Sequence, residues 1–160
     1  MQKNFFTSGD SYKYGHWSIY TPGLKNMFSY LAPRGGHLQK VVPFGIQYFL
    51  KEYFVGEVLN WDQHQKMVRR CKSHFGSDKV YNEKGFARLI EKHQGRLPLS
   101  IKSALEGTPI DNPNVIMTVE STDPEFAWLV NFVESQLSEC WGGTTVASYG
   151  HAIANTALHF

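Results

Sequence analysis

Residues 97–121, LPLSIKSALEGTPIDNPNVIMTVES, decide the fold class because they contain two strand patterns around a strong turn signal. The apolar residues on one alternating face, which predict a half-buried strand, are Leu97, Leu99, Ile101 and Leu105. The sequence Asp-Asn-Pro-Asn at 111–114 predicts a turn, because these residue types favour turn conformations. A second strand pattern follows at Val115, Met117 and Val119. The stretch therefore predicts an antiparallel hairpin.

The segment TDPE at 122–125 predicts a helix start directly after the second strand. Asp123 can cap the helix, Pro124 suits its first position, and Glu125 suits the positive end of the helix dipole. This cap explains the carboxylates better than a catalytic acid–base pair does. The helix is predicted to end at Gly142-Gly143.

The last predicted helix runs from Thr144 to Phe160 and shows no stop signal before the sequence ends. Its apolar positions are Val146, Ile153, Ala154, Ala157 and Leu158. This pattern leaves open whether the helix docks on its own domain or continues into another one. His151 and His159 lie eight residues apart on it, and we expect them at near-exposed positions rather than in a metal site.

Three helices and one strand are predicted upstream of the hairpin. Apolar residues at helical spacing indicate the first helix within 44–54. Asn60 and Gln63 have the spacing of a capping box for the second helix, and the third is expected within 82–95. Aromatic residues favour a strand at 25–31. The fold class is therefore predicted to be α+β, with helices packed on a small antiparallel sheet.

Length and charge restrict the classes of function. At 160 residues, 42% hydrophobic and 19% charged, the chain has the composition of one globular domain. Residues 1–80 carry a net charge of +6 and residues 81–160 carry −4. A basic first half suits an anionic ligand such as a phosphate but lacks the dense basic stripe of a nucleic-acid-binding protein. The basic cluster Arg69-Arg70-Lys72 is expected on a solvated helix face.

The two cysteines, Cys71 and Cys140, are far apart and form no CxxC motif. We expect buried, reduced thiols rather than a disulfide or a zinc site. The seven histidines show no metal-ligand spacing. The sequence has no apolar run long enough to span a membrane and no secretory signal pattern, so we expect a reducing, cytoplasmic location.

A short motif, Gly9-Asp10-Ser11-Tyr12-Lys13, lies near the N-terminus, with Tyr20-Thr21-Pro22 behind it. From these residues alone, Asp10 or Ser11 is an ordinary helix cap. The predicted strand at 25–31 leads to Arg34 and a glycine-rich turn, where an arginine is ordinarily a surface residue.

Combined with FGIQY at 44–48, YNEKG at 81–85 and TVESTDPE at 118–125, in this order, the motif resembles the N-terminal region of nicotinamide phosphoribosyltransferases. The resemblance runs from about Thr7 to about Val146. It implies that residues 1–160 form the N-terminal domain of a type II phosphoribosyltransferase, without the phosphoribosyl-binding α/β barrel. The last helix is then expected to continue into a missing or separate barrel domain.

The resemblance assigns substrate-binding roles to three residues and no catalytic residue to this chain. In the family, the tyrosine matching Tyr12 stacks on the nicotinamide ring in the neighbouring subunit's site, and the aspartate matching Asp10 lies close to the same base. The arginine matching Arg34 contacts substrate phosphate groups, which a guanidinium can bind through two hydrogen bonds. The loop from Gly35 to Val41 is shorter than in the family, so its path can differ.

The implied reaction joins nicotinamide to phosphoribosyl diphosphate and yields nicotinamide mononucleotide for NAD salvage. Mg²⁺ accompanies the diphosphate in the complete enzyme, and no metal is expected on this chain alone. The implied partners are these substrates and either a second copy in a homodimer or a C-terminal barrel chain, with no nucleic acid and no membrane.

The isolated chain is expected to be inactive, whether it is a natural split product or a truncated form. Two other interpretations stay open. One is a non-catalytic module that binds or regulates a full-length transferase, and the other is part of the related nicotinate phosphoribosyltransferase.

Overall fold

The computed structural model describes residues 9–158, and the structural statements below refer to these residues. The strands are β1 (Phe28–Leu31), β2 (Lys40–Val41), β3 (Leu99–Ser103), β4 (Ile110–Asp111) and β5 (Met117–Ser121). The helices are α1 (Ile46–Tyr53), α2 (Trp61–Phe75), α3 (Glu83–His93), α4 (Leu129–Phe132), α5 (Glu134–Leu137) and α6 (Trp141–Ala157). Short 3₁₀ turns cover Ser11–Tyr14, His16–Ile19, Pro124–Phe126 and Ser138–Cys140. The predicted α+β class is confirmed.

The main sheet has three antiparallel strands in the order β1-β5-β3. Met117 and Val119 on the central strand are buried, which places the core on one face of the sheet. The helix α4 packs against β5, β1 and the first 3₁₀ turn. This arrangement brings the N-terminal motif next to the segment around α4 and α5.

The two strands of the predicted hairpin form and pair with each other, but the segment that connects them is not the predicted tight turn. β3 and β5 pair as antiparallel neighbours, from Leu99 opposite Ser121 to Ser103 opposite Met117. The turn at 111–114 forms, with the Asn114 amide donating to the Asp111 carbonyl over 2.9 Å. It leads out of β4, however, which pairs with β2 in a separate two-stranded sheet. Leu105, expected in the first strand, lies beyond its end and is exposed.

The helix caps that the sequence indicates for α2 and α3 are present. The Asn60 side chain accepts from the Gln63 amide, and the Gln63 side chain accepts from the Asn60 amide, which is a complete capping box. Asn82 caps α3 by accepting from the Gly85 amide. These side chains satisfy amides that have no partner inside the helix.

The expected break at Gly142-Gly143 is wrong, because both glycines lie in the first turn of the continuous helix α6. Instead, the chain between 129 and 141 is a run of short helical turns whose end residues have right-handed helical angles. A side chain at Gly143 would collide with the Phe44 carbonyl oxygen. The glycine therefore permits close approach of α6 to the segment before α1 and does not end a helix.

The hydrophobic core lies between the sheet and the helices. Phe86 stacks on Tyr81 with ring centroids 4.8 Å apart, and it meets Phe132 edge-on at 5.2 Å. Cys71 and Cys140 are buried free thiols, as expected, and burial raises the pKa of each thiol to about 11. These thiols remain protonated and weakly nucleophilic at neutral pH.

The surface agrees with part of the sequence analysis. Arg69, Arg70 and Lys72 are exposed on α2. The apolar residues predicted on the last helix, from Val146 to Leu158, are also exposed on α6. Three positions used in the sequence analysis lie outside the described residues: Thr7, His159 and Phe160.

Candidate functional site

The N-terminal motif forms a compact turn, residues 10–15, which we call the Tyr12 turn. The Lys13 amide donates to the Asp10 carbonyl over 3.1 Å, and the Gly15 amide donates to the Tyr12 carbonyl over 3.2 Å. The tight 3₁₀ geometry points neighbouring side chains in different directions. Tyr12 is 58% exposed, whereas Lys13 and Tyr14 are each only 8% exposed. The buried side chains of Lys13 and Tyr14 therefore anchor the turn, while the Tyr12 ring is exposed to solvent.

Asp10 does not act as the ordinary helix cap that its sequence position suggests. It precedes the 3₁₀ turn, but its side chain makes no capping hydrogen bond. Its Oδ2 atom instead accepts from the Tyr12 hydroxyl over 3.2 Å and from the Ser135 hydroxyl over 2.7 Å. One carboxylate oxygen thus ties the Tyr12 turn to α5.

The hydrogen bond to Asp10 raises the pKa of the Tyr12 phenol, because it stabilises the protonated donor. The phenol therefore stays neutral at physiological pH and keeps donating to the carboxylate. The Tyr12 ring lies 5.2 Å from the His16 ring at an angle of 45°. An exposed ring held at its hydroxyl can stack on a flat ligand with little further ordering.

A polar network lies beneath the Tyr12 turn. The Lys13 ammonium forms an ion pair with Glu134 Oε2 at 2.5 Å. The other carboxylate oxygen, Oε1, accepts from the Ser29 hydroxyl on β1 over 2.7 Å. The Asn131 amide donates to Oε2 over 3.1 Å, and its oxygen contacts His16 Nδ1 at 2.7 Å. One carboxylate therefore joins the turn, the sheet edge and the helical segment.

The sequence analysis missed this network. A signal was present, since four polar residues interrupt the apolar segment LVNFVESQL at 129–137, namely Asn131, Glu134, Ser135 and Gln136. Polar residues inside a buried helical segment need partners, because an unpaired buried polar group is costly. The identity of those partners depends on residues about a hundred positions away, such as Ser29, 105 residues from Glu134.

A cavity of about 280 Å³ opens beside this network, between β1, β5 and α5. Its polar wall includes Ser29 and Glu134, and its apolar wall includes Leu31, Met117 and Leu137. The Glu134 carboxylate thus borders both the support of the Tyr12 turn and an open space at the sheet edge.

Arg34 lies in a separate loop, residues 34–39, which we call the Arg34 loop. Gly35 and Gly36 have φ angles of +102° and +113°, which favour glycine. The Asn112 side chain donates to the carbonyls of Gly35 and Leu38 over 3.1 and 3.0 Å. Arg34 is exposed, and within residues 9–158 no hydrogen bond or ion pair joins it to Asp10 or Tyr12.

The structure therefore brings two of the three predicted ligand-binding residues together. Asp10 and Tyr12 share a hydrogen bond, and Arg34 lies on a different loop. Asn112, which the sequence analysis assigned only to a turn, holds the backbone that carries Arg34.

The acidic residues after β5 have a structural role, as the cap interpretation predicts. Asp123 accepts from the Glu125 amide over 3.1 Å and forms an ion pair with Lys92 at 2.7 Å. Glu125 pairs with Lys92 and Arg88, each at 3.0 Å. Hydrogen bonds from Lys92 and His93 hold the pKa of Asp123 well below its usual range. These carboxylates connect the turn after β5 to α3.

Metal-ligating side chains do not cluster in the part of the chain that the structure describes. No group of three or more His, Cys, Asp or Glu side chains there could hold a metal ion. His151 is half-buried on α6, and its Nε2 atom lies 3.0 Å from the Asn155 amide nitrogen. Among the described residues, no helix has both the length and the apolar character needed to cross a bilayer.

Comparisons with known proteins relate most of the chain to one enzyme family. Residues 4–101 match the family described as nicotinamide phosphoribosyltransferase, N-terminal domain. A curated relative from Xanthomonas campestris, named nicotinamide phosphoribosyltransferase, is 33% identical over 158 residues, covering 98% of this chain and 33% of its own length. A relative of the same name from Acinetobacter baylyi is 31% identical over 157 residues, covering 87% of this chain and 30% of its own length.

The chain spans about a third of the length of these relatives. The family match covers more than half of the chain, and the match to the Xanthomonas relative extends over nearly all of it. The chain belongs to the nicotinamide phosphoribosyltransferase N-terminal domain family.

Proposed function

We propose that this chain supplies the N-terminal domain of a nicotinamide phosphoribosyltransferase. In the complete site, the ring nitrogen of nicotinamide bonds to C1 of the ribose as the bond from C1 to diphosphate breaks. The products are nicotinamide mononucleotide and diphosphate. The observation that carries the proposal is the Tyr12 ring, exposed to solvent while its hydroxyl and backbone are held by hydrogen bonds.

Tyr12 is proposed to stack on the flat pyridine ring of nicotinamide. Offset stacking contributes about 1 kcal/mol beyond simple burial. Asp10 lies beside the ring edge, where a carboxylate oxygen can accept a hydrogen bond from the substrate's amide group. Both residues bind and orient the base, and neither takes part in making or breaking bonds.

Arg34 is proposed to contact phosphate groups of the second substrate or product. Its exposed guanidinium is suited to paired hydrogen bonds with phosphate oxygens. Because Arg34 and Tyr12 lie on different loops, we propose that the site is completed by another chain, in a homodimer or with a barrel-containing chain. Such composite sites gain their catalytic power from positioning and from neutralising the leaving diphosphate.

Mg²⁺ is proposed to arrive with the diphosphate. The described residues offer no cluster of ligands for it, so they do not form a metal site by themselves. A cytoplasmic location is part of the same proposal and is supported by two buried free thiols, which are typical of reducing compartments.

A second candidate is a non-catalytic module that binds a full-length transferase. The exposed apolar residues of α6 favour it, since Val146 and Ile153 are 74% and 68% exposed. Apolar surface of this kind is typical of protein contacts. The nicotinate-using relative remains a further alternative, because Tyr12 stacking does not distinguish an amide from a carboxylate on the pyridine ring.

The test pairs the 160-residue chain with the two-thirds of the Xanthomonas relative that lie outside the matched region, by co-expression and purification. We expect nicotinamide mononucleotide to form with the pair and not with the chain alone. Tyr12→Ala should raise KM for nicotinamide by about tenfold, through lost stacking and burial. Arg34→Ala should raise KM for phosphoribosyl diphosphate by about tenfold or more.

Two exposed residues of the same types provide matched controls: Tyr48→Ala on α1 and Arg69→Ala on α2. Both should leave the kinetics unchanged. Turnover by the isolated chain would contradict the composite site. A stable complex whose turnover is unchanged by Tyr12→Ala and Arg34→Ala would favour the non-catalytic module. A higher kcat/KM with nicotinate than with nicotinamide would favour the nicotinate enzyme.

A further inference from the structure

Two consecutive residues of α5, Glu134 and Ser135, hold the Tyr12 turn from opposite sides. Ser135 donates to Asp10 Oδ2 over 2.7 Å, and this oxygen also accepts from the Tyr12 hydroxyl. Glu134 pairs with the ammonium of Lys13, the residue directly after Tyr12. The residues before and after the exposed ring are thus tied to one short helix.

Glu134 is itself fixed by further donors. The Ser29 hydroxyl binds one carboxylate oxygen at 2.7 Å, and the Asn131 amide binds the other at 3.1 Å. A carboxylate with donors on both oxygens has little rotational freedom. It can therefore hold Lys13 at a defined position relative to the sheet.

The change from exposed to buried between Tyr12 and Lys13 shows the effect of these contacts. Lys13 is 8% exposed with its charge paired, whereas the adjacent Tyr12 is 58% exposed. A lysine ammonium is rarely this buried unless it is paired. Burying Lys13 on Glu134 therefore forces the Tyr12 ring outward, and Ser135 then fixes its rotation through Asp10.

We propose that Glu134 and Ser135 are positioning residues that orient Tyr12 and Asp10 for a flat aromatic base. This inference rests on the proposed function for the nature of the ligand, but the hold on the turn can be measured without it. Neither residue contacts the base; each acts through Asp10, Lys13 or both. A ring that is already oriented binds with less loss of conformational entropy.

The first experiment measures hydrogen exchange of the Lys13 and Gly15 amides in the chain itself, because these amides close the turn. Glu134→Gln and Ser135→Ala should each speed their exchange by about tenfold, the loss expected for one charge-assisted hydrogen bond. Amides of β5 should keep their protection. Where Glu134→Gln fails to fold, Ser135→Ala carries the test, since Ser135 takes part in a hydrogen bond and no ion pair.

Matched control variants separate the specific stabilisation of the Tyr12 turn from general effects of substitution. Glu120→Gln removes a carboxylate on β5 that lies 4.0 Å from Lys102, away from the turn. Ser121→Ala removes a hydroxyl that donates to the Asp123 carbonyl, and neither residue lies in the Tyr12 turn or in α5. Ser135→Thr retains the hydroxyl and should restore slow exchange. Unchanged exchange at Lys13 and Gly15 in both test variants overturns the proposal.

The second experiment uses the kinetic assay of the paired chains. Ser135→Ala should raise KM for the base by about threefold, less than Tyr12→Ala does, with little change in kcat, because a loosened ring weakens binding equally in the ground and transition states. A merely structural defect would lower the amount of active enzyme, and so kcat, without changing KM. A fall in kcat at constant KM therefore overturns the positioning role.

The two experiments also separate this proposal from the proposed function. Suppose that Glu134→Gln and Ser135→Ala speed amide exchange while Tyr12→Ala leaves turnover unchanged. This result would support the stabilisation of the Tyr12 turn by Glu134 and Ser135 and would contradict the assigned ligand. In the reverse result, Tyr12→Ala raises KM, whereas Glu134→Gln and Ser135→Ala change neither the amide exchange nor the kinetics. This result would support the proposed function and contradict the positioning role of Glu134 and Ser135.

Discussion

The Tyr12 turn and the Arg34 loop both present a candidate ligand-binding residue, but different kinds of contact hold them. The Tyr12 turn is anchored by its own side chains, Lys13 and Asp10, which reach into α5. The Arg34 loop is anchored through its backbone, by the side chain of Asn112. The side-chain anchoring fixes a ring orientation, whereas the backbone anchoring fixes a loop path and leaves Arg34 free to extend towards a ligand.

This difference corresponds to the shape of the proposed ligands. A flat base needs a ring at a defined angle, because stacking depends on geometry. A phosphate group offers several equivalent oxygens, so the planar guanidinium of an exposed arginine can form paired hydrogen bonds with it from more than one direction. The predictions below test the two kinds of anchoring in order of decreasing expected effect.

Lys13→Ala should have the largest effect on stability. It leaves the Glu134 carboxylate, only 34% exposed, without its cation. We expect the free energy of unfolding to fall by about 2 to 3 kcal/mol, as for a partly buried ion pair that loses one partner. Urea denaturation measures the change. A loss below about 0.5 kcal/mol would mean that the pair is no stronger than a surface ion pair.

Asn112→Ala should have a smaller effect that is centred on the Arg34 loop. It removes two hydrogen bonds to backbone carbonyls, so we expect a loss of about 1 to 2 kcal/mol in unfolding free energy. Proteolysis of the native protein should become faster within 34–39 and remain unchanged within 10–15. Equal acceleration at both sites would contradict the separate anchoring of the two regions.

A glycine in each region gives a matched pair of substitutions. Gly36 has a φ angle of +113°, so Gly36→Ala should cost about 1 kcal/mol or more. Gly15 has a φ angle of −93°, and a side chain there would meet Val80 at an ordinary contact distance of 3.6 Å. Gly15→Ala should therefore change stability by less than about 0.5 kcal/mol. Thermal unfolding compares the two, and equal effects would contradict the difference in backbone strain.

Tyr12→Phe should have the smallest effect and should appear in the pH dependence. The folded-state pKa of Tyr12 is raised above its ordinary value of 10.0, chiefly by the hydrogen bond to Asp10. Its small contribution to stability is therefore complete below pH 10 and is lost as the pH rises through the folded-state pKa. Absorbance of the phenolate during titration measures the shift. Burial also raises the pKa of Tyr14, Tyr20 and Tyr81, so the difference between the titration curves of the unaltered protein and Tyr12→Phe isolates Tyr12. A difference curve centred at the ordinary pKa of 10.0 would contradict the Asp10 contact.

The sequence predicted features that depend on neighbouring residues. The capping box of Asn60 and Gln63, the turn at 111–114 and the cap at Asp123 all form as expected. Their signals are local, because a cap or turn is determined within a few residues. The resemblance to the family singled out Asp10 and Tyr12, which share a hydrogen bond in the structure, and their roles towards a base stay predictions.

Features that depend on distant pairing were missed. The position of β1 beside β5 and the Glu134 network join segments about a hundred residues apart. Gly143 was misread because a glycine can mark either the end of a helix or a close approach between segments. Only the packing of Phe44 against α6 distinguishes these two cases here.

The ion pair between Lys13 and Glu134 has an evolutionary consequence. Its two residues are 121 positions apart in the chain, and a change of one alone would leave either a buried ammonium or a half-buried carboxylate without its ion-pair partner. Across related proteins, substitutions at these two positions should therefore occur together, either exchanging the pair for two uncharged residues or retaining both. Such joint substitution would record, in sequences alone, that the motif near the N-terminus and the segment around Glu134 have been inherited as one unit.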